Sequence, residues 1–271
     1  MNLSSIKEYE VHSASELLAL CSKFQSSEYR ATDIWFRGVK SCDFGLIPSI
    51  HRDRELWDSE EQIINEFFLF SRPFIKTVPK DGYEWLSLMQ HHGVPTRLLD
   101  WSQSCLIALY FAISDWDPAK PTTPCVWILD PEELNQAMDI KACTFIPTTD
   151  ACYPWLNESL RIPMQKPDTT SEADPQKPIA IYMSHTHERL AAQRGAFTLH
   201  GEYSRCLSEF AEAAKLKRLR RAKIMGITDK AKKDAILHEL YLAGVTQFTI
   251  YPGLDSLAKS VVWTYTRSRS E

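Results

Sequence analysis

The chain has 271 residues, with 31 Lys and Arg against 35 Asp and Glu, so its formal net charge is −4. This balance argues against a wholly basic surface for nucleic acid, although a local basic patch is compatible with it. Glycine is scarce, at 9 residues, and neither a G-x-G-x-x-G loop nor a G-x-x-x-x-G-K-[ST] loop occurs. A nucleotide site built on a glycine-rich loop is therefore excluded.

Elements in the first half of the chain alternate between helix and strand. Apolar residues at helical spacing predict helices, and short continuous apolar runs predict buried strands. The helix that begins near Ser59 has a strongly apolar face, and Gly93 ends the next helix. In chain order, the pattern predicts a helix over 11–24, a strand over 33–38, the Ser59 helix, a helix over 83–93, an irregular link over 94–104 and a buried helix over 106–113.

The second half continues this alternation around a long polar excursion. Asp130 followed by Pro131 begins a helix well, because the Asp side chain caps it. Residues 141–178 are rich in Pro, Thr and polar residues without periodicity, and we interpret them as an insertion. Interleaved helices and strands indicate a mixed fold, which we assign to the α+β class. The remaining predicted elements are strands over 125–130, 195–201 and 246–251 and helices over 229–243 and 254–267.

The cysteines and the chain start indicate a cellular compartment. The 7 cysteines form no C-x-x-C pair, and an odd count does not fit a secreted disulfide framework. The first residues lack the basic and apolar regions of a signal peptide. The longest apolar run, residues 105–113, is too short to cross a membrane. We therefore expect a reduced, cytoplasmic protein with no membrane partner.

A basic run over residues 215–223 is the feature most typical of nucleic-acid binding. The commoner explanation of such a run is a solvated charged face. No aromatic residues that could stack on bases interleave with it. Nucleic acid is therefore the less favoured partner.

The first segment that suggests a binding or catalytic role is the strand end Arg37-Gly38. An arginine at the end of a buried strand needs a partner that offsets its loss of hydration. That partner is either a carboxylate at the edge of the core or a bound phosphate, which Gly38 would allow to approach the backbone.

Residues 90–102 form the densest polar segment, between two apolar helices. Polar loops held by rigid elements are frequent binding sites, and we favour function here. The alternative is a purely structural loop that is held in place by an ion pair between Arg97 and Asp100. No metal site is predicted, because adjacent histidines point in different directions and no zinc spacing accompanies them. The candidate binding residues are Gln90, His91, His92, Arg97, Asp100 and Ser102, together with Arg37 and Gly38.

A third segment, residues 188–199, runs from a helix end into a strand, with Gln193 at the junction. Gln193 could orient a sugar hydroxyl, or it could simply cap the preceding helix. The capping explanation is slightly favoured when the segment is taken alone.

These segments together resemble the FRG domain, a family named for its Phe-Arg-Gly motif. We assign residues 30–267 to this domain, with 1–29 as an N-terminal helical lead-in and the insertion near 141–178. The resemblance rests on Trp-Phe-Arg-Gly at 35–38, Gln-His-His-Gly-Val-Pro-Thr-Arg-Leu-Leu-Asp-Trp at 90–101, Ala-Leu-Tyr-Phe-Ala at 108–112, Ala-Gln-Arg-Gly-Ala-Phe-Thr at 192–198 and Tyr-Pro-Gly-Leu-Asp at 251–255.

A more distant resemblance is to ADP-ribosyltransferases. In those enzymes a strand ending in Arg-Gly precedes a Ser/Thr-bearing segment, an Ala-x-x-Phe-Ala helix and a further strand. Here Arg37-Gly38, 96–102, 108–112 and 126–129 follow the same order. The resemblance implies mixed sheets that form a cleft flanked by helices and bind NAD without a glycine-rich loop.

The same resemblance implies cleavage of the nicotinamide–ribose bond through an oxocarbenium-like transition state. Oriented donors and charge near the developing cation would supply the rate. The implied roles are Arg37 on the pyrophosphate or ribose, Thr96 or Ser102 near the nicotinamide ribose, Gln193 or Glu202 on the ribose 2′-hydroxyl, and Arg97 and His91 lining the cleft.

One departure keeps several functions open. The late catalytic glutamate of those enzymes has no unambiguous counterpart, because Gln193 stands at the expected place with Glu188 and Glu202 on either side. The first hypothesis is an NAD-dependent ADP-ribosyltransferase or NAD glycohydrolase in a toxin or phage-defence context, acting on a small nucleotide or a macromolecular acceptor. The alternatives are a non-catalytic module that binds a nucleotide or nucleic acid, and a purely structural domain.

Overall fold

A computed structural model of the protein describes residues 6–28, 34–137, 177–183, 188–201 and 206–267. The strands in these ranges are β1 (Lys7–Val11), β2 (Trp35–Val39), β3 (Leu98–Ser102), β4 (Cys125–Leu129), β5 (Ile179–Ile181), β6 (Gly195–Leu199) and β7 (Arg220–Ile224). The helices are α1 (Ala14–Glu28), α2 (Arg54–Asp58), α3 (Glu60–Ser71), α4 (Gly82–His91), α5 (Cys105–Ile113), α6 (Pro131–Gln136), α7 (Glu188–Ala192), α8 (Leu207–Ala213), α9 (Lys230–Leu242), α10 (Gln247–Ile250) and α11 (Leu254–Arg267).

The strands of the described ranges form one seven-stranded sheet in the order β1-β7-β4-β2-β3-β6-β5. The β1–β7 pair is parallel and the other pairs are antiparallel, so the sheet is mixed. Helices pack on both faces of it. The predicted combination of helices with a mixed sheet is confirmed.

Each face of the sheet buries its own apolar core. Trp35 belongs to the core that also contains side chains of α4 and α8, whereas Phe36 belongs to the core formed with α1, α5 and α9. Neighbouring residues of a strand point to opposite faces, so β2 contributes to both cores in turn. Trp35 is 0% exposed and Phe36 is 4% exposed, which confirms that this strand is buried on both faces.

The sheet is weakly joined at its centre. β2 and β3 are paired only at Phe36 and Ser102, whereas β2 pairs with β4, and β3 with β6, along the whole strand. The sheet therefore consists of two half-sheets, β1-β7-β4-β2 and β3-β6-β5, that meet at a single position. We call this position the central junction.

Helix α5 packs on β2 at very short range. A Cβ atom at Gly38 would lie 1.7 Å from the carbonyl oxygen of Ala108 and 2.7 Å from the backbone nitrogen of Ala112. Only glycine leaves room for this approach, and the small alanines of α5 provide the matching surface. The glycine of the Arg-Gly motif is therefore required for the packing of α5 on β2, whatever the motif binds.

Two predicted elements are wrong in type. Residues 98–102 form strand β3 instead of an irregular link, because three of the five side chains are large, apolar and buried beside β6. Residues 246–251 contain helix α10 instead of a strand. There the hydroxyl of Thr246 accepts from the N–H of Thr249, and the hydroxyl of Thr249 accepts from the N–H of Thr246. This reciprocal cap outweighs the strand preference of the β-branched residues.

The basic run is not a solvated face where it forms β7. Arg220 and Arg221 are 6% and 9% exposed, because β7 lies between β1 and β4. Arg221 pairs with Glu8 of β1, and the Arg220 guanidinium lies 4.4 Å from the centre of the Phe24 ring. These two charges are partnered within the fold.

Several predictions fall partly or wholly outside the described residues. The insertion near 141–178 lies there except for its last two positions, and Glu202 lies there as well. Residues 6–28 of the predicted helical lead-in supply strand β1 in addition to helix α1. No helix in the described part of the chain is both long enough and apolar enough to span a membrane.

Replacing Gly38 with Ala should destabilise the protein by about 1–3 kcal/mol, because the added methyl group would meet backbone atoms of α5 that cannot rotate away. Urea unfolding followed by tryptophan fluorescence measures the difference. Gly45→Ala is the matched control, since the atom nearest to its added Cβ is the Cys206 sulfur at 3.0 Å, a side-chain atom and not backbone. A loss for Gly38→Ala no larger than that for Gly45→Ala would contradict the packing argument.

Candidate functional site

A cavity of about 290 Å³ opens at the central junction, where β2 and β3 separate, and α4, α5 and α7 enclose it. We call it the junction cavity. A larger cavity of about 620 Å³ lies between α9 and α11 and is lined by none of the predicted site residues. The junction cavity brings together predicted site residues from three distant segments of the chain, namely Arg37, Gly38, Gln90, His91, Asp100, Ser102 and Gln193.

Arg37 connects the two half-sheets across the central junction. Its guanidinium donates a hydrogen bond of 2.6 Å to the main-chain carbonyl of Asp100, and its Nη1 lies 3.7 Å from the Asp100 carboxylate. Burial lowers the pKa of Arg37, the Asp100 carboxylate opposes this shift, and the nearby Arg52 adds to it. Arginine nevertheless remains charged. The structure therefore shows a carboxylate partner for Arg37, which at the same time borders the cavity.

Gln90 links α4 to β3 through a chain of hydrogen bonds. The hydroxyl of Thr96 donates to Oε1 of Gln90, and Nε2 of Gln90 donates to Oδ1 of Asp100. Both ends of the amide are thereby fixed, and the Asp100 carboxylate is held beside Arg37. Thr96 is 1% exposed and lies behind Gln90, outside the residues that line the junction cavity. Its hydroxyl is linked to the cavity through Gln90, and it also accepts from the N–H of Leu98 at the start of β3.

Ser102 and Gln193 join β3 to the end of α7. The Ser102 hydroxyl donates to the main-chain carbonyl of Gln193 over 2.7 Å and accepts from the N–H of Ser104 over 3.1 Å. The side-chain amide of Gln193 donates to the carbonyl of Ile250 over 3.3 Å. Both residues border the cavity, but some of their donors already have partners within the protein.

The two adjacent histidines have different surroundings. His91 lines the cavity, whereas His92 is exposed and lies outside it. Burial lowers the pKa of His91, and the nearby His92 and Arg189 lower it further. A neutral imidazole offers one donor and one acceptor, so His91 can contribute a hydrogen bond rather than a charge.

Arg97 lies in a separate buried cluster. Its Nε donates to Oε1 of Glu60 over 2.8 Å, its Nη2 pairs with Oε2 of the same carboxylate, and its guanidinium lies 4.9 Å from the centre of the Trp57 ring. Arg97 therefore neither pairs with Asp100 nor lines the junction cavity. Arg97 lies at a bend just before β3, whereas Asp100 lies within the strand, and the two side chains have different partners.

His51 and His200 border the Arg97–Glu60 pair, with ring centres 6.3 Å apart. Burial lowers the pKa of His51 to about 4, and the charge of Arg97 adds to the shift. Burial also lowers the pKa of His200 well below its usual value, with further contributions from His51, Arg37 and Arg97. Both rings are therefore neutral in the folded protein near pH 7.

Arg189 is a cavity residue that the sequence analysis did not select. It lies on α7 and lines the junction cavity together with Gln193. The spacing between them offered a signal, because residues four apart on a helix share a face. This spacing alone does not identify Arg189, because nothing else in the local sequence distinguishes it from an exposed surface arginine.

The fold and the cavity define a mixed α/β domain with a polar site between two half-sheets. The family model described as the FRG domain matches residues 32–120, which include β2, α4, β3 and α5. This part of the chain is therefore an FRG domain, and the predicted resemblance is confirmed over these residues. No curated protein and no solved structure matches the chain.

Acid should destabilise the protein as the pH falls from about 6.5 towards 4, in part through His51. The pKa of His51 is about 4 in the folded state and near 6.5 when unfolded, so between these values the unfolded state binds the extra proton and is favoured. His51→Leu should remove up to about 3 kcal/mol of this acid sensitivity. Urea unfolding at a series of pH values measures it.

The control for this experiment is His238→Leu at an exposed position of α9. Other groups also titrate in this range, so the comparison is between each variant and the wild type at the same pH. A His51→Leu curve that runs parallel to the wild-type curve over the whole range would show the interpretation to be wrong.

Proposed function

We propose that the chain binds NAD at the junction cavity and cleaves its nicotinamide–ribose bond, as an ADP-ribosyltransferase or an NAD glycohydrolase. The observation that carries the proposal is the convergence of Arg37, Asp100 and Gln193, from three distant segments, on one cavity where two half-sheets separate. ADP-ribosyltransferases, which the motif order resembles, bind NAD between two small sheets. We propose that the junction cavity is the NAD-binding cleft that this resemblance implies.

The cavity offers groups that suit this chemistry. Cleavage places positive charge on the ribose, and a fixed carboxylate nearby stabilises that charge. The Asp100 side chain lines the cavity, is 60% exposed and is oriented by Gln90 and Arg37. Gln193 and Glu202 remain the groups proposed for the ribose 2′-hydroxyl, and Ser102 is the hydroxyl proposed for the nicotinamide ribose.

The volume of the junction cavity limits how much of the ligand it can hold. Its volume of about 290 Å³ is near the lower end of the range for small-molecule sites, about 300–1,000 Å³. We therefore assign the nicotinamide and its ribose to this cavity and the rest of NAD to the adjoining surface. A toxin or phage-defence setting, with a nucleotide or macromolecule as acceptor, is part of the same proposal, because loss of NAD harms a cell.

A second candidate function is nucleotide binding without turnover. The observation that favours it is the involvement of Gln193 and Ser102 in internal hydrogen bonds, to the carbonyls of Ile250 and Gln193 respectively. A side-chain amide also lacks the negative charge of a catalytic glutamate. A binding module would retain NAD without releasing nicotinamide, so the two candidates differ in a measurable product.

Arg37→Ala should lower kcat/KM for nicotinamide release about 10- to 100-fold, because it removes a charged hydrogen-bond donor that positions Asp100 and borders the ligand. Nicotinamide is measured by chromatography and NAD binding by calorimetry, with circular dichroism to verify that each variant is folded. Arg54→Ala is the matched control, since Arg54 is exposed and pairs with Asp58 away from the cavity.

Two results would decide between the candidates. A wild-type protein that neither binds nor consumes NAD at millimolar concentration would overturn the proposal. Binding that depends on Arg37, without any release of nicotinamide, would instead identify the non-catalytic module.

A further inference from the structure

Arg189 is a cation of the junction cavity with no carboxylate within ion-pair distance among the described residues. Arg37, in contrast, lies 3.7 Å from the Asp100 carboxylate and already donates to the Asp100 carbonyl. An anion that approached Arg37 would meet the negative charge of Asp100. Arg189 is therefore better placed than Arg37 to bind a phosphate group.

Tyr251 holds Arg189 in position. The Arg189 guanidinium lies over the Tyr251 ring, 4.7 Å from its centre, and Phe111 packs edge-on against the same ring at 6.0 Å. The chain at Tyr251 is in turn held to α7 by the hydrogen bond from Gln193 to the carbonyl of Ile250. A guanidinium fixed in this way loses less conformational entropy when it binds an anion.

A second cavity begins beyond these two rings. It has a volume of about 440 Å³ and lies between α5 and the C-terminal helices, so we call it the C-terminal cavity. Phe111 lines both cavities, and Tyr251 borders the second one. Lys259 of α11 contributes a cation there, and Asp115 is the carboxylate that borders it. The two cavities thus adjoin at Phe111 and Tyr251, with a cation on either side.

We propose that Arg189 and Lys259 bind the phosphates of an elongated ligand, a nucleoside diphosphate or its ester, that extends from the junction cavity past Phe111 and Tyr251 into the C-terminal cavity. The aromatic rings offer a surface on which a base can stack. The inference deepens the proposed function and rests on it where the ligand is NAD. It assigns the pyrophosphate to Arg189 instead of Arg37, and it gives Tyr251 a binding role.

The test uses ADP, which has the diphosphate and base but no nicotinamide, and the full chain. Calorimetry should show that wild-type protein binds ADP and that Arg189→Met weakens binding at least 10-fold, because a charge-assisted hydrogen bond is lost. Arg189→Lys should retain part of the affinity, since it keeps the charge but not the planar fork. Tyr251→Leu should weaken binding as well, because Arg189 loses its support, and Tyr251→Phe should weaken it less, because the ring remains although the hydroxyl that hydrogen-bonds to Arg189 is lost.

Arg72→Met is the matched control. Arg72 also stacks on an aromatic ring, with its guanidinium 4.5 Å from the centre of Phe68, but it lines neither cavity. ADP affinity should therefore be unchanged in this variant. Equal losses in Arg72→Met and Arg189→Met would overturn the inference, and so would a wild-type protein that does not bind ADP.

This inference and the proposed reaction can fail separately. ADP binding that depends on Arg189, in a protein that releases no nicotinamide, would uphold the inference and remove the reaction. Nicotinamide release with the same KM for NAD in wild type and in Arg189→Met would uphold the reaction and overturn the inference.

Discussion

The contact between Arg37 and Asp100 joins two half-sheets that otherwise pair at one position. Its cation is partly desolvated, and such a charge is costly unless a carboxylate and hydrogen bonds offset it. Asp100 provides both, through its carbonyl and its side chain, and Gln90 keeps that side chain in place. Strands β2 and β3 and helix α4 are therefore positioned by one polar network. Since the strands do not pair beyond the junction, the network borders a cavity instead of a continuous sheet.

The polar segment over residues 90–102 has two structural roles, which fall to different residues. Gln90, His91, Asp100 and Ser102 line the junction cavity, whereas Thr96 and Arg97 are buried behind it. The Arg97–Glu60 pair ties α3 to the start of β3, and removing one partner of such a buried pair typically costs about 3–5 kcal/mol. Part of this dense polar motif therefore lines the cavity, and part of it stabilises the elements around the cavity.

Local sequence patterns predicted those parts of the structure that local interactions determine. Continuous apolar runs located β2, β4 and α5, and the motifs located most of the residues that line the junction cavity. The pattern failed where the decisive partner is distant in sequence. The charged strand β7 is stable because Arg221 pairs with Glu8, which lies 213 positions earlier. The position of Arg189 likewise depends on Tyr251, which lies 62 residues later in the chain. Such pairings follow from the three-dimensional arrangement and leave no periodic signal.

The two cavity arginines divide the site by charge. Arg37 lies 3.7 Å from the Asp100 carboxylate, which offsets part of its positive charge. Arg189 has an aromatic partner in place of a carboxylate, so its side of the cavity remains positive. The charges of NAD are divided in the same way, because its nicotinamide ring is cationic and its pyrophosphate is anionic. A ligand oriented with nicotinamide near Asp100 and pyrophosphate near Arg189 satisfies both sides, whereas the reverse orientation places like charges together. If the ligand is NAD, as we propose, this charge distribution favours the orientation in which Asp100 faces the nicotinamide–ribose bond.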